Sequence, residues 1–171
     1  VRSHPRQVRQ RNRQEKGNKY NRRLNRFKMK KLSIEATRIF CRLLKRMGKQ
    51  TYIRLTADGF LPLVLEQIGN VSTPYGPAKL YSLAHYYQEQ GDPMRDPEMV
   101  FIVVDNRREP ADYDLIGIFP ALYQQDNLGL YEESVCMEDN KVTTYIPLWQ
   151  RDHAGFANQW MKNIQQQGFL K

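Results

Sequence analysis

The sequence is poor in cysteine, has no long apolar run, and carries almost no acid in its first third. Its two cysteines, Cys41 and Cys136, lie far apart, which leaves no disulfide framework and no zinc-type spacing. No stretch approaches the roughly 18 to 20 apolar residues of a membrane span, and the N-terminal residues lack the apolar segment of a secretory signal. The expectation is a cytoplasmic protein that does not engage a membrane. Also missing are a Gly-x-Ser-x-Gly elbow, a phosphate-binding loop and a dinucleotide fingerprint. Neither cysteine sits beside a histidine. The chain therefore reads as a non-enzymatic protein with no cofactor.

What is abundant is positive charge, unevenly placed. Residues 1–49 hold 18 Lys/Arg against two acids, a net of +16, and residues 50–171 hold 9 against 16, a net of −7. The whole chain stands at +9. A split of this size assigns two jobs to two parts of the chain. From Val1 to Lys31 the text is Arg, Lys, Gln and Asn with no period. Such a segment buries too little surface to offset its ordering entropy, so it is expected to be a mobile basic arm. A solubilising tail is the plainer alternative. Tyr20, Leu24 and Phe27 fall at helical spacing, so its second half is expected to extend the next helix.

A single α+β domain is expected over 32–171: a basic helix over 32–48, then a sheet and a closing helix over 51–171. Ser33 can cap a helix to Met47, and Gly48 can end it. Ala36, Phe40, Leu43, Leu44 and Met47 make one face of that helix, and Arg38, Arg42, Lys45, Arg46 and Lys49 the opposite one. Strands are expected at Thr51–Ala57, Leu80–Tyr87, Glu98–Asp105 and around Asp114–Phe119, followed by a hairpin of Leu130–Met137 and Val142–Ile146. Asn70–Pro77 reads as a loop, and Gly91 to Pro97 as turn-rich. Phe60–Ile68 is apolar and fits either element. The last helix takes Asp152 as cap, Phe156, Trp160 and Ile164 as buried stripe, and Gly168 as stop. Serial short strands imply an antiparallel sheet of about five strands flanked by the two helices.

The segments Ser82-Leu-Ala-His85-Tyr86, Gly91-Asp92-Pro-Met94-Arg-Asp96-Pro97-Glu98-Met99, Gln125-Asp126-Asn-Leu-Gly129 and the closing Phe156…Trp160…Phe169 carry a resemblance. Together they resemble an uncharacterised domain family of conjugative elements, plasmids and phages, over about Phe60 to Lys171. The resemblance implies a setting in mobile DNA, where small proteins manage transfer or disarm host defence, inhibitors of CRISPR effectors among them. It implies no reaction, and it does not cover the basic arm.

Nucleic acid, DNA or RNA, free or within a CRISPR effector complex, is the expected partner. The candidate contacts are Arg6, Arg9, Arg11, Arg13, Lys19, Arg22, Arg23, Arg26, Lys28, Lys30, Lys31, Arg38, Arg42, Lys45, Arg46 and Lys49. Many cations gain affinity by releasing condensed counterions from phosphates, and interleaved Gln, Asn and Tyr add hydrogen bonds and stacking. Three other readings stand beside this one. His85, Asp92, Asp96 and Glu98 are ligand types for a divalent ion, though each Asp also suits a turn before proline. Asp139-Asn140-Lys141, with Asp126 or Asp114 upstream, has the acid-then-acid-x-Lys form of some metal-dependent nucleases. In the third, the acidic domain is an interaction module that docks a basic partner.

Overall fold

In the computed structural model, which describes residues 27–171, the first regular element is the helix α1, Ile34–Met47. Both ends follow from local chemistry. The Ser33 hydroxyl accepts the Ala36 N–H at 3.2 Å, and Gly48, at φ 58°, donates its N–H to Leu44 O at 3.0 Å. The expected helical extension toward Tyr20 does not occur in the described part, because Phe27–Ser33 is non-helical.

Eight strands follow: β1 Tyr52–Leu55, β2 Leu63–Thr73, β3 Gly76–Glu89, β4 Asp92–Asp105, β5 Ile116–Gln125, β6 Leu130–Glu133, β7 Val135–Glu138 and β8 Lys141–Tyr145. The helix α2, Pro147–Gln166, closes the domain. The fold is α+β with a mostly antiparallel sheet in the order β6-β5-β4-β3-β2-β8-β7, β1 pairing β2 separately. The one parallel step joins β2 to β8 at Ser72 and Lys141.

The sheet thus has eight strands where about five were expected. Asn70–Pro77, read as a loop, is mostly strand, with Pro74 and Tyr75 alone between β2 and β3. Gly91–Pro97 is likewise mostly strand. Asp96 and Pro97 sit where the β3–β4 register slips between Ala84 and Tyr86, and a bulge is where a strand tolerates a residue without an N–H. Leu130–Met137 breaks at Ser134 into two strands. The β7–β8 hairpin turns at Asp139 and Asn140, both at positive φ, a conformation short polar side chains accept.

Two cores lie on opposite faces of the sheet. On one, Phe40, Leu43 and Met47 of α1 and Trp160, Met161 and Ile164 of α2 pack on Leu63, Leu83, Met99, Phe101 and Ile118. Phe40 is fully buried and meets Phe101 edge-on at 5.0 Å between ring centroids. On the other face, Val71, Ile102, Val104, Phe119 and Ala121 are covered by Val135 and Val142 of the β7–β8 hairpin and by Met29. The last helix starts five residues before its expected cap, with Pro147 in its first turn. Asp152 is therefore inside the helix, and Phe156 is exposed while Trp160 and Ile164 are buried. No described helix is long and apolar enough to cross a membrane.

Candidate nucleic-acid interface

Of the sixteen cations expected to bind nucleic acid, eight, Arg6 to Arg26, lie outside the described residues. The next three sit on a strap, Phe27–Leu32, whose backbone is held by side chains from distant elements. Lys28 N–H donates to the Tyr145 hydroxyl at 3.1 Å and Met29 N–H to the Tyr75 hydroxyl at 3.2 Å, while Tyr75 donates to Phe27 O at 2.8 Å. Gln150 holds Lys30 at both main-chain groups, accepting its N–H at 2.6 Å and donating to its carbonyl at 2.8 Å. A carboxamide pairs in this way as a neighbouring strand would. Leu32 N–H then donates to Ile118 O at 2.9 Å. Met29 and Leu32 point inward, and Lys28, Lys30 and Lys31 are exposed. The boundary expected between residues 31 and 32 thus falls inside a segment docked on the domain.

The basic face of α1 divides. Arg42 donates to Leu170 O at 2.9 Å and Arg46 to Lys171 O. The Arg38 guanidinium lies 5.4 Å from the centroid of the Tyr113 ring, a cation–π distance. These arginines hold the segment after α2, where Phe169 and Leu170 are buried, and the entry to β5. Lys45 and Lys49 are exposed. Counting the described residues alone gives 17 Lys/Arg and 17 Asp/Glu, a net of zero. Residues 1–26, with 10 against one, carry all of the +9.

The acidic candidates are engaged with one another's neighbours. His85 donates from Nδ1 to Leu61 O (3.1 Å) and Pro62 O (3.2 Å) and lies against Trp160 and Phe169. Burial pushes its pKa down, against the pull of those two carbonyls. Asp96 accepts from Gln125 Nε2 at 2.9 Å, and Glu98 accepts the Ser82 hydroxyl at 2.5 Å. Arg95 Nε lies 2.6 Å from Glu98, although its N–H does not point along that line. Asp126 accepts the Arg95 backbone N–H at 2.8 Å, which, aided by Gln124, holds its carboxyl below the usual range. Asp92 is exposed at the β3–β4 turn. Among the described residues, no three His, Cys, Asp or Glu side chains converge to hold a metal ion.

The acid–lysine triplet is distant from Asp126. Asn140 O accepts the Ser72 N–H, and Ser72 pairs with Pro77 at one end of β3. Arg95, which holds Asp126, pairs with Tyr86 at the other end. Nine residue steps along β3 lead from Pro77 to Tyr86, about 30 Å at ~3.3 Å per step. The two acids cannot share one ion.

An arrangement invisible in the sequence joins Glu132, His153 and Ser134. His153 Nδ1 lies 2.8 Å from Ser134 Oγ, and Nε2 lies 3.0 Å from Glu132 Oε2. These are the residue types of an acyl-transfer relay, but Ser134 is 0 % exposed. The group instead ties the β6–β7 break to α2. Gln150, 1 % exposed, was missed for a related reason: nothing in the local pattern marks a glutamine whose partner lies 120 positions away. Cys41 is buried, and desolvation raises its thiol pKa, away from thiolate chemistry.

No curated protein and no solved structure matches the chain. A protein family does, described as a domain of unknown function (DUF6908), over residues 38–170. The match spans most of both cores, from the second turn of α1 through the sheet to the Leu170 that Arg42 holds, and it leaves out the first turn of α1, the strap and everything before it. The chain therefore belongs to the DUF6908 family, with a basic extension ahead of the family domain.

Proposed function

We propose that this protein binds nucleic acid, free or inside a nucleic-acid-loaded complex, and does not cut it. The observation that carries the reading is the partition of charge. Residues 1–26 hold the entire net charge of +9, while the described domain balances 17 cations against 17 acids. Those residues lead directly into a strap whose backbone is fastened at Phe27, Lys28, Met29, Lys30 and Leu32 and whose lysines Lys28, Lys30 and Lys31 face solvent. Phosphate binding by clustered cations is driven by counterion release and needs no pocket. Arg38, Arg42 and Arg46 serve the fold first in this reading, so the interface runs through residues 1–31, with Lys45 and Lys49 as further contacts.

The resemblance to domains of conjugative elements, plasmids and phages supports a role in mobile DNA. In its counter-defence form, the protein seats on a guide-loaded CRISPR effector and blocks cutting while leaving guide and target intact. In its transfer form, it accompanies the DNA of the element. The test is an incubation of the full chain with DNA and RNA in magnesium or manganese, run beside an effector-cleavage assay. Intact nucleic acid with inhibited effector supports the counter-defence form, and binding with neither effect supports the transfer form. Metal-dependent degradation lost in Asp139→Ala or Asp96→Ala would replace both with a nuclease.

A further inference from the structure

A cleft of about 640 Å³ opens beside α1, between the β2–β3 hairpin and the β7–β8 turn. Its volume falls within the range of sites that take a nucleotide-sized ligand. Leu44, Tyr81 and Val103 line it with apolar surface. Asn70, Lys79 and Asn140 also line it, and all three are exposed. Asp105 lies in the same cleft, but the Arg107 fork takes both its oxygens, at 2.9 and 2.8 Å. That pairing holds the Asp105 carboxyl below its ordinary range. The pair is neutral as a unit, so Lys79 adds a net positive charge to the cleft.

We infer that this cleft seats one unpaired base of a bound strand, with the adjoining phosphate on Lys79. This rests on the nucleic-acid reading above and adds, to an electrostatic grip on any strand, a preference for one that carries unpaired bases. Each carboxamide of Asn70 and Asn140 offers a donor beside an acceptor, the pairing that base edges present. The half-buried Leu44 side chain, with the accessible edges of Tyr81 and Val103 beneath it, meets the base plane, which a paired base cannot offer.

The experiment compares two fluorescent oligonucleotides of equal length and phosphate number, one of thymidines and one of abasic units, binding the full chain at fixed salt. With one base edge read by two carboxamides, the thymidine strand is expected to bind about tenfold more tightly. Asn70→Ala with Asn140→Gly, the glycine chosen because residue 140 has φ 56°, should erase that difference and leave abasic binding unchanged. Circular dichroism checks that the variant is folded. Equal binding of the two strands by the unmodified protein overturns the cleft assignment and leaves the electrostatic reading standing. A difference that survives in the folded variant places base contact elsewhere and also overturns it. Binding of neither strand overturns both readings.

Discussion

Residues 1–26 and residues 27–171 are built on opposite rules. The first set has 10 cations, one acid and few apolar side chains; the second balances its charges and buries apolar residues on both faces of one sheet. The first carries its positive charge almost without acids in its own sequence. In the second, part of it is engaged within the fold: Arg42 and Arg46 donate to main-chain carbonyls, Arg95 pairs with Asp126 and Glu98, and Arg107 with Asp105. A cation on a helix surface is therefore weak evidence of an interface by itself.

The comparison breaks most visibly at Phe40. Phe40→Ala empties the centre of the first core, and a loss of about 3–5 kcal/mol is expected in urea unfolding. Replacing the arginines of residues 1–26 by glutamine should leave the unfolding midpoint in place. Comparable losses from the two changes would mean that the division between packing and binding is misdrawn.

Gln150→Ala comes next. It strips the paired bonds from Lys30 and leaves Pro120 O without its donor. A loss of about 1–3 kcal/mol follows for groups left unsatisfied. Faster amide exchange at Lys30 and Leu32 would locate that loss in the strap. Smaller still is Arg42→Gln, at about 1 kcal/mol for one partly buried bond, whereas Lys45→Gln and Lys49→Gln should cost no stability and weaken binding.

A pH series sharpens the same contrast. The folded pKa of His85 lies below its ordinary value of about 6.5, so between the two values the unfolded chain binds more protons. Its contribution is complete above pH 6.5 and declines as pH falls toward the folded value. Asp105 and Asp126, both depressed, contribute above about pH 4 and lose that contribution as pH falls through their folded values. The unfolding midpoint should therefore drop from pH 7 to 5, and less so in His85→Gln.

Local signals made the two ends of α1 legible, the Ser33 cap and the Gly48 stop, whereas its buried face also takes in Thr37, Ile39 and Cys41 and its expected extension toward Tyr20 is absent from the described part. The Asp139-Asn140 turn was legible for the same reason, as two polar residues at positive φ between short strands. The β2–β3 and β3–β4 hairpins were not. Their Pro and Gly residues read as loop, and only cross-strand pairing shows that Pro77 opens a strand and Pro97 sits at a bulge. The polar ties were hidden more deeply, because Gln150, His153 and Arg42 gain their roles from partners brought near by the fold. At the candidate interface, the charge split could be counted from sequence, but which cations stay unengaged could not.

The central claim is that residues 1–26 supply the electrostatic grip, and its most direct measurement is the salt dependence of duplex DNA binding by the full chain and by the chain lacking them. If about six phosphates are neutralised, log K should fall against log salt with a slope of about −5. The shortened chain should fold alike and show a much shallower slope. A full-chain slope near zero, or an unchanged slope after removal, would contradict the account.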